Sequence, residues 1–226
     1  MITRAIYGDN LEFLRTVPDK HYDLAVIDPP YGIGEHGGKS ASRCKATGVR
    51  PNNYTKKDWD KKPPSDEFFK ELFRVSKNQI IFGANHFISR IPFDSSCWII
   101  WDKENGDNDF ADCELAWTSF KSAVRIVRWK WHGMIQKNMK QKEIRIHPTQ
   151  KPVGLYTWIY QRYAKKGEKI IDTHLGSGSS RIAVYELPEL QLEFDGIEAD
   201  EEYYKNHCKR YNQYKQQQKL NFFSNE

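Results

Sequence analysis

The chain of 226 residues has no apolar run close to the roughly 18 residues that a membrane-spanning helix needs. Its N-terminus, MITRAIYGDNLEF, lacks the apolar stretch of a secretion signal. Cysteine is scarce: Cys44, Cys97, Cys113 and Cys208 are scattered, with no Cys-x-x-Cys pair, and the seven histidines lack ligand spacing. This argues against a disulfide framework and against any metal site, and for reduced thiols in a cytosolic compartment. Internal repeats are absent too. The expectation is a cytoplasmic protein with no membrane partner and no metal. With 38% hydrophobic and 14% aromatic residues there is enough to build a core, which excludes a disordered chain. The length is met most simply by one domain over residues 1–226.

Acidic residues are nearly missing from two segments. Residues 39–62 hold eight Lys/Arg against two Asp, and residues 121–151 hold nine Lys/Arg against one Glu. These segments carry +6 and +8 in a chain whose net charge is only +5, so the remainder is acidic at −9. Such segregation is an electrostatic footprint for a polyanion, although solvated loops with lysines for solubility would give the same count.

The pattern of elements is α/β. ITRAIYG and DLAVID are strand-like, with a short helix over Leu11–Arg15 between them. Residues 32–64 are rich in Gly, Ser, Lys and Asn and form a long basic loop, a length that is usually functional or disordered. Ser65 then caps DEFFKELFRVS, whose Phe68, Phe69, Leu72 and Phe73 share a helical face. QIIFGA, CWIIWDK, CELAWTSF and AVRIVRWKW read as strands, and 132–148 is polar and basic without a period. Next come the helix VGLYTWIYQRYAK behind Pro152, the strand EKIID, the helix SGSSRIAVYEL, the strand LEFDGIEAD and a polar helix EEYYKNHCKRYNQYKQQQ, with KLNFFSNE as a tail. Alternation at both ends predicts a doubly wound, mostly parallel sheet of Rossmann type with helices on both faces. No strand follows LEFDGIEAD, so its outer neighbour must be ITRAIYGDN, which brings Asp9 beside it. Asp9 then either caps the following helix or accepts from a ligand's adenine amine, and both are open.

IIDTHLGSGSS is a strand, a Gly-x-Gly turn and a helix start, the arrangement at which a doubly wound sheet holds a nucleotide. GSGSSR lacks the third glycine of a dinucleotide fingerprint and has no Lys-Ser/Thr of a phosphate loop. Glu198 at the next strand tip suits two vicinal ribose hydroxyls, and Asp200 and Glu201 beside it disfavour a phosphate. A nucleoside without pyrophosphate fits, and S-adenosylmethionine is one.

AVIDPPYGIG ends a buried strand with a carboxylate, two rigid prolines and an aromatic ring. Taken with HPTQKP and DTHLGSGS, this DPPY motif resembles the DNA amino-methyltransferases over nearly the whole chain. DPPY precedes the glycine motif, as in the circularly permuted β group, and ADCELAWTSF looks like that group's late-strand motif. Asp rather than Ser at the head of the tetrapeptide makes the likeness one to adenine-specific members. The resemblance implies the S-adenosylmethionine-dependent methyltransferase fold, circularly permuted. It implies a catalytic set of Asp28, Pro29, Pro30 and Tyr31. It also implies a cofactor set of Asp9, Thr149, Lys151, Asp172, His174, Gly176, Ser177, Gly178, Ser179 and Glu198, with Lys151 and Thr149 at the cofactor's carboxylate. Thr173 and His174 depart from the Pro-aromatic pair usual after the motif Asp, and His174 would pack in place of that aromatic.

The chemistry suits these residues. An aromatic amine is a poor nucleophile because its lone pair is delocalised. Asp28 and the Pro29 carbonyl would draw the amine hydrogens out of plane and stabilise the charge that develops on nitrogen. Tyr31 offers a ring face to a base flipped out of duplex DNA. The expected activity is methyl transfer to adenine N6 at a short site, by a monomer or homodimer. Lys39, Arg43 and Lys45 in the basic loop grip DNA in this reading, as do Arg128, Lys130, Lys137 and Lys140 around a small target-recognition insertion at 132–146. The alternatives are 4-amino methylation of cytosine, methylation of a protein glutamine amide, and a silent DNA-binding module. A compact enzyme of this kind would suit a phage or mobile element.

Overall fold

The computed structural model describes residues 2–34, 57–106, 111–132 and 135–223. Strands β1 (Thr3–Tyr7), β2 (Tyr22–Ile27), β3 (Ser76–Phe82), β4 (Trp98–Asp102), β5 (Cys113–Thr118), β6 (Arg125–Arg128), β9 (Lys169–Asp172) and β10 (Glu193–Glu198) form one sheet. Their order is β1-β10-β9-β2-β3-β5-β4-β6. All neighbours pair in parallel except β5, which runs against β3 on one side and β4 on the other. β1 lies outside β10 with Tyr7 opposite Glu198, the neighbour that the sequence requires.

Helices α1 (Asn10–Thr16) and α2 (Asp66–Val75) cover one face, and α3 (Val153–Tyr163), α4 (Ser179–Tyr185) and α5 (Glu201–Phe223) the other. β2 shows why the sheet is buried on both sides: Leu24 and Val26 point into the layer with Tyr156, Ile159 and Ile182, while Ala25 and Ile27 point into the layer with Leu14, Phe68 and Leu72. Ser65 caps α2 by accepting from the Phe68 N–H at 3.2 Å. Phe73 is the exception on that helix. It stays half-buried and turns its ring edge-on to Trp117 and Phe93.

Two expectations change. The last helix runs on to Phe223 through most of the expected tail, because no Gly or Pro stops a stretch of Gln, Lys, Leu and Asn. The stretch after β6 also contains a small hairpin, β7 (Trp131–His132) with β8 (Ile135–Gln136), too short to show a period in the sequence.

With β5 reversed, the carboxyl ends of the other strands and the amino end of β5 lie along one edge of the sheet. That edge carries Asp28, Gly83, Glu114, Asp172 and Glu198.

Candidate active site

Asp28 is the first residue beyond β2, and Pro29 behind it is buried. The turn that follows is fixed by a residue 29 positions on: Asp60, itself buried, accepts from the Tyr31 N–H (2.7 Å) and the Gly32 N–H (2.8 Å) through one carboxylate oxygen. The Tyr31 hydroxyl donates to Asp28 Oδ1 at 2.8 Å and accepts from Lys151 Nζ at 3.0 Å, with Glu114 Oε2 3.3 Å away. Lys151 stands 2.6 Å from Asp28 Oδ1 and 3.0 Å from Glu114 Oε2, and Lys103 reaches the other Glu114 oxygen at 2.6 Å. Two carboxylates, two ammonium groups and a phenol are thus joined in one half-buried cluster around the buried Lys151.

The two acids differ in strength. Burial pushes both up, but Glu114 faces Lys151 and Lys103 together and ends down at about 2. For Asp28 burial prevails over Lys151, and the negative Glu114 adds to it, so its carboxyl lies above the usual range. Burial would lower Lys151, yet the two carboxylates hold it above the ordinary lysine value. The sequence sends Lys151 to a cofactor carboxylate, whereas here its ammonium is engaged by Asp28 and Glu114.

The Tyr31 ring is half-buried between neighbours. Gly83, at φ +65°, lies so close beneath it that a Cβ there would stand 2.0 Å from the ring. The His86 imidazole stacks on it at 5.1 Å between centroids and 14° between planes.

The glycine motif occupies the tip of β9, two strands' width from the β1 edge. Asp172 accepts from the His174 N–H at 3.0 Å and from the Ser180 hydroxyl, and burial lifts its carboxyl to about 7 despite both. Gly178 begins α4 in the left-handed region at φ +73°, where a Cβ would meet the buried His207 ring at 2.2 Å, so only glycine fits. Glu198 accepts from the Gly176 N–H (2.7 Å) and the Asp200 N–H (2.8 Å), one on each oxygen. Asp9 caps α1 by accepting from the Glu12 N–H at 2.9 Å. His174 packs edge-on against Phe68 at 5.2 Å, and Asn10 Nδ2 lies 2.9 Å from its Nε2. Burial drives its imidazole down to about 3. Thr149 Oγ1 sits 3.1 Å from His147 Nδ1, and the His147 ring lies 4.2 Å from that of Tyr203.

Arg210 of α5 holds the glycine loop from behind. It donates to the Ser177 carbonyl (2.8 Å) and the Ser179 hydroxyl (3.0 Å), while its other terminal nitrogen pairs with Glu143 at 2.7 Å. The second Glu143 oxygen accepts the Val153 N–H at the start of α3 (3.0 Å).

Of the residues read as contacting DNA, Lys39, Arg43 and Lys45 lie outside the described residues. Arg128, the last residue of β6, and Lys130, Lys137 and Lys140 beyond it are exposed. Lys137 covers the Trp129 ring at 4.1 Å, and Arg128 Nε is 3.4 Å from Asp102. Sequence reasoning misses Glu114, Asp60, Lys103, Glu143 and Arg210, each remote from the motif it supports. Only Glu114 leaves a trace, as a lone carboxylate in the strand-like run CELAW.

A family model described as DNA methylase, of the N6/N4 class, matches residues 100–209. The type II methyltransferase M2.DpnII of Streptococcus pneumoniae is 25% identical over 250 residues, covering 91% of this chain and 88% of its own. Among solved structures, a complex of M1.HpyAVI with S-adenosylmethionine superposes with a TM-score of 0.53 at 22% identity, covering 94% of this chain and all of the other. The cytosine-N4-specific PvuII DNA methyltransferase reaches 0.58 at 11% identity, covering 93% and 86%. The mixed sheet is therefore that of the S-adenosylmethionine-dependent methyltransferases. Sheet, DPPY turn and glycine loop agree with these likenesses, and over residues 100–209 the chain is similar to the N6/N4 DNA methylases.

Proposed function

We propose that the protein transfers a methyl group from S-adenosylmethionine to the 6-amino group of adenine in duplex DNA, at a short specific site and on a base turned out of the helix. The observation that carries this reading is the adjacency of β2 and β9, which sets the Asp28 carboxylate and the glycine loop side by side on one sheet edge. The chain order, DPPY before glycine loop, fits the permuted arrangement.

The residues suit the cofactor. Each Glu198 oxygen takes one N–H and keeps a lone pair for a ribose hydroxyl. A Cβ at Gly176 would meet nothing nearer than 3.9 Å, so a ligand can approach the backbone there. S-adenosylmethionine, when bound, supplies a methyl made electrophilic by its sulfonium. Asp28 accepts a hydrogen of the base amine, the Pro29 carbonyl accepts the other, and the lone pair is freed for attack. The elevated Asp28 carboxyl is the stronger base of the two acids and is suited to answer charge developing on nitrogen. Residues 132–146, with Lys137 and Lys140, are assigned to target recognition.

The leading Asp supports adenine, while the likeness to the PvuII enzyme is one of fold and keeps 4-amino cytosine as the second reading. Sequencing DNA from a methylation-free host that expresses the protein, with modified-base detection, tests both. N6-methyladenine in a short recurring motif is expected. N4-methylcytosine would replace the adenine assignment, and unmodified DNA would overturn the function.

A further inference from the structure

The Tyr31 ring, which is read to receive the base, already has two neighbours against it. Gly83 backbone lies against the phenol ring, and His86 is stacked on it nearly parallel, with offset centroids, the favoured geometry of an aromatic pair. The two rings differ in freedom. Tyr31 is anchored at both ends, by Asp60 at its N–H and by Asp28 and Lys151 at its hydroxyl. His86 is exposed, ends a single 3₁₀ turn (Ala84–His86), and its imidazole makes no hydrogen bond among the described residues. Only one of the partners can leave. Gly83 in the left-handed region aims the turn so that His86 comes back over the ring.

We propose that His86 is a placeholder for the target base: it covers Tyr31 in the resting enzyme and swings into solvent when the flipped base takes its place. The exchange is close to balanced, since one ring pair is lost as another forms. His86 thereby keeps the apolar Tyr31 face dry without DNA and sets a threshold that only a base able to stack can cross. The proposal rests on the base-flipping reading of Tyr31.

The test compares binding of two duplexes carrying the motif that wild-type methylation mapping defines, one intact and one abasic at the target position. Without a base nothing competes for Tyr31, so the abasic duplex reports the remaining contacts. His86→Ala is expected to tighten the intact duplex by about two- to tenfold, the worth of one ring pair. Its affinity for the abasic duplex should not change. His86→Trp, a larger and more tenacious cover, should weaken the intact duplex only. If His86→Ala weakens the intact duplex alone, His86 is a second wall that sandwiches the base, and the placeholder is overturned. Equal changes on both duplexes would make His86 an ordinary DNA contact and overturn it too. If wild-type protein modifies no DNA at all, it is the function that fails, which the mapping step reveals first.

Discussion

Glu114 faces two lysines and Asp28 only one, and this asymmetry makes the acids separable by experiment. Asp28→Asn should lower kcat by about 100-fold or more, as loss of a transition-state contact does, while the S-adenosylmethionine Kd stays within about threefold. Equal losses in both would make Asp28 structural. Glu114→Gln removes a negative charge that raises Asp28, so the acid limb of the kcat/KM profile should move to lower pH. An unmoved limb would mean that another group titrates there. At the other strand tip, Glu198→Ala should cost about 1.5–3 kcal/mol of cofactor binding, roughly a 10- to 150-fold higher Kd, with DNA affinity unchanged. Isothermal titration with each ligand reads both. The places of Asp28 and Glu198 were legible because each stands at the end of an apolar run, where a carboxylate has no place in the core, whereas Glu114 near the start of its strand was not. His86 was not, since nothing in FGANHF marks a ring that folds back over one 55 positions earlier.

Among the elements, the sequence located the strands by their β-branched and aromatic runs and α2 by its cap and apolar face, and the structure follows them. The reversed β5 was beyond its reach. CELAWTSF has the composition of a strand, but direction is set by pairing with β3 and β4, which composition does not encode. The same holds for Arg210, which reads as one more charge on a polar helix and is in fact buried against the glycine loop. Breaking a buried pair by removing one partner costs about 3–5 kcal/mol. Arg210→Met should therefore lower the melting temperature and weaken cofactor binding, and Glu143→Gln should do so less, since its amide can still accept from Arg210. A double-mutant cycle measures the coupling, and strict additivity in cofactor affinity would show that the pair does not support the loop.

Across the whole molecule, the buried His207 and the half-buried His147 and His174 bear on the response to acid. His147, His174 and His207 are each pushed down to about 3, chiefly by burial, so all are neutral in the fold. The unfolded chain binds their protons near pH 6.5, so the stability they contribute is complete above that pH and is lost as it falls toward 3. Asp172 acts oppositely: its folded value of about 7 exceeds the unfolded one, and protonation below pH 7 favours the fold. The raised Asp28, Glu143 and Glu198 act with Asp172, whereas the lowered Glu114, Asp23 and Asp200 act with the histidines, a fully shifted group being worth about 1.4 kcal/mol per pH unit. The melting temperature should fall steadily from pH 6.5 to 4, and His174→Asn should flatten that fall. DNA binding should weaken linearly in log salt. Neutralising Arg128, Lys130, Lys137 and Lys140 together should make that slope shallower by about 0.9 for each phosphate they neutralise. An unchanged slope would return them to solvated surface. The loop after β8, which carries two of these lysines, is closed at its base in both directions, Gln136 Nε2 donating to the Glu143 carbonyl at 2.9 Å and the Glu143 N–H to Gln136 Oε1 at 2.7 Å. Lys137 to Lys142 project beyond that clasp and are all exposed. If this six-residue stretch reads the target as proposed, rewriting it while Gln136 and Glu143 stay as fixed borders should change which sites are methylated. A graft that carried Glu143 away would unseat α3 and the glycine loop along with the specificity it meant to change.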